Sequence, residues 1–103
     1  MINDPLARWQ KLVEQQPNNE LARFSLGKAF FDLGQFAVAK EQFQIALTRK
    51  PDWMVSQILI GKCEQALGDK AAAKAAFERA LQLAIAQHHE GPQAELEELL
   101  REL

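Results

Sequence analysis

The sequence has few of the residues that break helices and few of those that favour strands. Among 103 residues there are 5 Gly, 4 Pro and no Tyr, and runs of Val, Ile and Thr are scarce. Ala, Leu, Gln, Glu and Lys, which form helices well, are abundant. With 48% hydrophobic and 25% charged residues, the composition predicts one soluble, helical domain.

The sequence also lacks a second cysteine, a long apolar run and a signal peptide, and these absences limit where the protein is expected to act. Cys63 is the single cysteine, which excludes an intrachain disulfide. No apolar run approaches the ~18–20 residues that span a bilayer, and the N-terminus lacks the basic and apolar parts of a signal peptide. We therefore expect a cytoplasmic protein that does not act in a membrane.

The net charge is small but unevenly distributed. A formal charge of −2 is too small to indicate a nucleic-acid partner, which needs a clustered basic face. Residues 90–103 hold five Glu and one Arg, or −4, so the other 89 residues carry +2. We interpret the acidic end as a solvated helix face.

The chain contains an internal repeat of 34 residues. When 20–53 is aligned with 54–87, ten of the 34 positions are identical, whereas chance gives about two. The matches include the pairs Gly27 and Gly61, Lys28 and Lys62, Gly34 and Gly68, and Phe43 and Phe77. Most matches are small or apolar, which indicates a repeated packing constraint.

Each unit predicts a helix, a tight turn and a second helix. The predicted helices are 20–33 and 36–49 in the first unit, and 53–67 and 70–87 in the second. Gly34 and Gly68 supply the turns, because glycine accepts a positive φ. Gly27 and Gly61 fall inside helices, where glycine costs about 1 kcal/mol relative to alanine, so we expect a neighbouring helix to touch the backbone there.

This set of residues resembles the tetratricopeptide repeat. The first unit matches the pattern of that family with Leu26, Gly27, Phe30, Gly34, Phe36, Ala39, Phe43, Ala46 and Pro51. The second unit matches less fully, since it has Glu64 in place of the aromatic residue and Ile85 in place of the proline. The resemblance implies an all-α, right-handed α–α superhelix of about six antiparallel helices, without catalysis and without a cofactor.

The flanks extend this plan to a single domain over 1–103. Residues 4–16 resemble the second helix of a preceding half-repeat, followed by repeats at 20–53 and 54–87. Gly91 and Pro92 are expected to break the chain before a capping helix at 92–103. Without the proline, the helix that begins at 70 can continue to about His88, where Gly91 would close it.

The resemblance also implies a concave groove lined by the first helix of each unit, which accepts a peptide or helix. The residues carried over to it by position are Leu21, Phe24, Lys28, Phe31, Asp32, Trp53, Val55, Ile58, Lys62, Gln65 and Ala66. The alternative is that Phe24, Trp53 and Ile58 are covered by the terminal helix or by each other.

Lys28 and Lys62 occupy the same place in successive helices, so two aligned ammonium groups would hold carboxylates of a partner. Alternatively, each lysine is solvated and paired with a nearby acid such as Asp32. Some family members bind two carboxylates with Lys, Asn and Arg, but Phe24 and Leu59 stand here where two of the polar residues would be.

The remaining candidates favour structural roles. His88 and His89 point about 100° apart on a helix and have no third ligand at zinc spacing, so we expect no metal site. Cys63 matches Ala29 by position and is expected to be a buried, inert residue. No catalytic constellation is present in the sequence, so we do not expect an enzyme.

Two functions remain open. The first is a protein–protein interaction module that binds an unidentified protein or peptide in the groove. The second is a structural protein that self-associates as a homodimer, through the last helix or an exposed face of the repeats.

Overall fold

The computed structural model describes residues 4–103, which form six α-helices and no strand. The helices are α1 (Pro5–Gln15), α2 (Glu20–Asp32), α3 (Phe36–Arg49), α4 (Met54–Ala66), α5 (Lys70–Ala86) and α6 (Glu90–Glu102). The fold is therefore all-α, as predicted. The grouping of these helices into a half-repeat, two repeats and a cap stays a prediction.

Polar side chains fix the beginning of three helices. The Asp4 carboxylate accepts a hydrogen bond from the Leu6 amide at 3.0 Å, and Asn19 and Asp69 accept from Ala22 and Ala72 at 3.1 and 3.0 Å. Such N-caps satisfy amides that have no partner within the helix. These side chains fix where α1, α2 and α5 begin.

The turns after α2, α4 and α5 share one backbone geometry. Gly34, Gly68 and His88 have φ of 75°, 83° and 58°. In each turn the next amide donates to the carbonyl five residues back, at 2.9–3.0 Å, as in Gln35 to Phe30. The glycine turns agree with the prediction, and His88 takes the place of a third glycine.

The prediction for the last turn was wrong. Helix α5 ends at Ala86 and does not reach His88, and Gly91 does not close it. Gly91 and Pro92 lie in the first turn of α6, which begins at Glu90. Proline is tolerated there because the first amides of a helix have no intrahelical partner.

Each helix packs against the helices that precede and follow it in the chain. The packing is closest where a mid-helix glycine meets a phenylalanine. A Cβ atom on Gly27 would lie 2.7 Å from Cε1 of Phe43, and Gly61 faces Phe77 in the same way. The expectation that a neighbouring helix touches the backbone at both glycines is confirmed.

Two buried clusters form the core. The N-terminal core comprises Val13, Ala22, Leu26, Phe30, Ala39, Phe43, Leu59, Ile60, Cys63 and Ala76. The C-terminal core comprises Met54, Ile58, Ala73, Phe77, Ala80, Ala84 and Leu96. Helix α4 contributes to both, so it joins the two halves of the stack.

A buried hydrogen bond fixes the first turn of α4 against α3. The Ser56 hydroxyl is fully buried and donates to the Phe43 carbonyl at 3.0 Å. Buried polar groups that keep such a partner avoid a desolvation penalty of about 1–3 kcal/mol. The bond sets the position of the residues just before it, Trp53 and Val55.

Candidate functional site

The large apolar side chains that are exposed within α2 and α4 lie at positions related by the repeat. Leu21 and Val55, 34 residues apart, are 62% and 44% exposed in the first turns of the two helices. Trp53, the residue just before α4, is partly exposed. We call these three residues the apolar strip.

Aromatic contacts hold the strip to the core. The rings of Phe24 and Trp53 are stacked, with centroids 4.5 Å apart and an interplanar angle of 23°. Phe24 also lies 5.5 Å from the ring of Phe43, which is fully buried. Trp53 is therefore a positioned ring, because its neighbour is fixed by the core.

The C-terminal half of α2 carries the predicted residues Lys28, Phe31 and Asp32. Lys28 Nζ lies 3.4 Å from the Asp32 carboxylate and 5.5 Å from the centre of the Phe31 ring. Phe31 packs edge-on against Phe36 of α3, with centroids 5.3 Å apart. Lys28 thus has the acidic neighbour that the alternative interpretation proposed.

The α4 side of the predicted groove is partly covered by α6. Ile58 is only 7% exposed and belongs to the C-terminal core with Leu96. Lys62 Nζ lies 3.9 Å from the Glu95 carboxylate of α6, while Gln65 and Ala66 are exposed. The structure therefore brings most of the predicted residues to the surface, but Ile58 is packed inside.

A shallow depression of about 320 Å³ adjoins the apolar strip. Its lining comprises Lys50, Asp52, Trp53, Met54, Val55, Gln87 and His89. Lys50 Nζ lies 5.5 Å from the centre of the Trp53 ring. A cation over a ring contributes about 0.5–1 kcal/mol at an exposed site, so Lys50 helps to hold the indole at the edge of the depression.

Sequence reasoning missed two of these residues. Lys50 was not among the predicted groove residues, because it follows α3 and the groove was assigned to α2 and α4. Its position three residues before Trp53 was a signal that could have identified it. Glu95 was grouped with a solvated face, and since α6 lacks the mid-helix glycine and the aromatic residues of the repeats, no sequence pattern sets its register on α4.

Cys63 is a fully buried thiol, as expected from its match with Ala29. Burial, and to a smaller extent the charge of Glu64, raises its pKa to about 11, while the charge of Lys40 opposes the shift. Lys40 and Glu64 form an ion pair at 3.0 Å between α3 and α4. Within residues 4–103, no three His, Cys, Asp or Glu side chains are grouped as a metal site requires.

Comparison with known proteins assigns the family. The sequence model of the tetratricopeptide repeat matches residues 6–52 and again residues 24–88. The chain belongs to the tetratricopeptide-repeat family. Members of this family are repeat scaffolds for protein–protein interaction, and the right-handed superhelix predicted above is their fold.

Two bacterial proteins are similar over most of their length. The TPR repeat-containing protein PA0015 of Pseudomonas aeruginosa is 38% identical over 88 residues, which span 85% of this chain and 82% of that protein. The solution structure of protein BPP2914 from Bordetella parapertussis is 31% identical, with a TM-score of 0.86 over 98% of this chain and 88% of that one.

A further similar structure contains a bound peptide. The first TPR of Spaghetti (RPAP3) bound to the HSP90 peptide SRMEEVD is 25% identical to this chain. Its TM-score is 0.81 over 94% of this chain and 72% of that one.

No helix in the described range 4–103 is both long and apolar enough to cross a bilayer.

Proposed function

We propose that this tetratricopeptide-repeat chain binds a peptide or helix of a partner protein across the first turns of α2 and α4. The observation that carries the proposal is the apolar strip. Apolar side chains exposed at equivalent positions of both repeats form a surface that a single partner segment can cover. Trp53, held by its stacking on Phe24, is a typical anchor of an interface.

The surroundings of the strip support this use. The adjoining depression offers a concave surface beside Trp53, with Met54 and Val55 on its wall. The similar Spaghetti (RPAP3) domain binds a short peptide, which supports a peptide as the class of ligand.

The alternative is a homodimer formed through the last helix, and it has less support. Leu96 is completely buried, and Leu99, Leu100 and Leu103 pack against the C-terminal core of the same chain. To form the main contact with a second copy, these leucines would have to give up their packing against α5 of their own chain. A dimer through an exposed face of the repeats would instead compete for the apolar strip.

Selection of binding peptides from a random library, followed by fluorescence anisotropy, tests the proposal. The variant Leu21→Ser with Val55→Ser should weaken binding of a selected peptide at least tenfold, because interface anchors contribute more than ~1 kcal/mol each. A matched control is Leu33→Ser with Leu67→Ser, since these repeat-equivalent side chains at the other ends of α2 and α4 are 59% and 46% exposed.

The control pair should leave the affinity unchanged, and circular dichroism should show full helicity in both double variants. Equal losses in the two double variants, or no loss in the first, would refute the apolar strip as the binding surface. A concentration-dependent dimer that the first variant abolishes would favour self-association through the repeats.

A further inference from the structure

We propose, building on the function proposed above, that Glu95 determines the charge preference of the groove. By pairing with Lys62, this carboxylate of α6 makes the groove favour an uncharged apolar segment over an acidic one. Glu95 would then be a specificity-determining residue contributed by a helix outside the two repeats.

The charges along α2 and α4 are balanced within the chain. Lys28 and Lys62 are repeat equivalents, and each lies within 4 Å of a carboxylate of the same chain: Asp32 at 3.4 Å and Glu95 at 3.9 Å. The two lysines and two acids have a net charge of zero. An incoming carboxylate therefore meets two lysines that are already paired.

The two carboxylates differ in origin. Asp32 is four residues from Lys28 on the same helix, a local pair found on many helix surfaces. Glu95 comes from α6, which follows the second repeat, so its approach to Lys62 depends on how α6 packs. Only the pair of Lys62 and Glu95 can therefore give the groove a charge preference that does not come from the repeats themselves.

Packing of α6 keeps Glu95 beside Lys62. Leu96, the next residue, is completely buried in the C-terminal core, and Leu99, Leu100 and Leu103 pack against that core. The Glu95 side chain itself is 54% exposed, so a ligand at Lys62 meets it directly. A carboxylate of the ligand must displace Glu95 or accept its repulsion.

The matched control lies on the same helix. Glu98 pairs with Arg101 of α6, and hydrogen bonding to that guanidinium lowers the pKa of the Glu98 carboxyl. Glu98→Gln and Glu95→Gln remove the same charge from the same helix. Only the second frees the groove lysine, so an effect of net charge alone is the same in both variants.

Two labelled heptapeptides with amidated C-termini serve as probes: the acidic SRMEEVD and its counterpart SRMQQVN, which keeps the arginine but has no acidic side chain. The wild-type chain should bind SRMQQVN more tightly. Glu95→Gln should tighten SRMEEVD binding two- to fivefold, the range expected for one exposed ion pair. It should not change SRMQQVN binding, and Glu98→Gln should change neither.

Equal gains in the two glutamine variants would overturn the proposal, because they would report net charge alone. The absence of a gain in Glu95→Gln, including no measurable binding to any variant, also overturns it. The library experiment judges the apolar strip separately. A selected peptide that depends on Leu21 and Val55 upholds the proposed function even if Glu95 has no influence on charge preference.

Discussion

Replacing Gly27 by alanine is expected to destabilise the protein, although the same change inside most helices is stabilising. Alanine is favoured over glycine by about 1 kcal/mol in a helix interior. Here the new Cβ would lie 2.7 Å from Cε1 and 2.8 Å from Cδ1 of Phe43. Because the Phe43 ring is fully buried and overpacking costs about 1–3 kcal/mol, subtracting the gain leaves a net loss of up to about 2 kcal/mol.

Urea unfolding followed by circular dichroism at 222 nm measures this loss. Gly91→Ala is the matched control, since Gly91 is also helical but a Cβ there meets no atom within 4 Å. It should leave the free energy of unfolding unchanged or raise it. In a Phe43→Leu background, Gly27→Ala should cost less than it does in the wild type, because the smaller side chain relieves the contact. Equal or greater stability of Gly27→Ala would refute the packing argument.

Two further changes test local chemistry. His88→Gly should raise the free energy of unfolding by about 1 kcal/mol, because a residue with a Cβ pays for a left-handed backbone; an unchanged urea midpoint would contradict this. Raising the pH from about 9 to 11 should destabilise the wild type more than Cys63→Ala. The unfolded thiol ionises near its ordinary pKa of 9.0, so the unfolded state then holds fewer protons than the folded one. Parallel thermal-melting profiles of the two proteins against pH would refute it.

The repeat made the helices and their closest contacts predictable. Gly27 and Phe43 recur 34 residues later as Gly61 and Phe77, and a constraint that appears twice in a sequence reports packing. The turns at Gly34 and Gly68 could be predicted for the same reason. The turn at His88 could not, because His88 lies outside the second unit and histidine seldom has a positive φ.

The candidate site was predictable only in part. Leu21 and Val55 followed from their repeat positions, but burial of Ile58 depends on α6, whose leucines allow several registers on the preceding helices. The ion pair between Lys62 and Glu95 could not be predicted for the same reason, since it also depends on the register of α6. Local patterns therefore predicted which residues lie on α2 and α4, and packing across helices decided which of them stay accessible.

The two ends of the stack differ in their effect on ligand binding. Helix α1 packs mainly against α2 and helix α6 mainly against α5, so these end helices should open locally before the inner four. Opening of α1 leaves Lys62 and Glu95 together, whereas opening of α6 separates them and gives the groove a free cation. Fluctuation of the last helix would thus let the same surface recognise ligands of different charge at different moments.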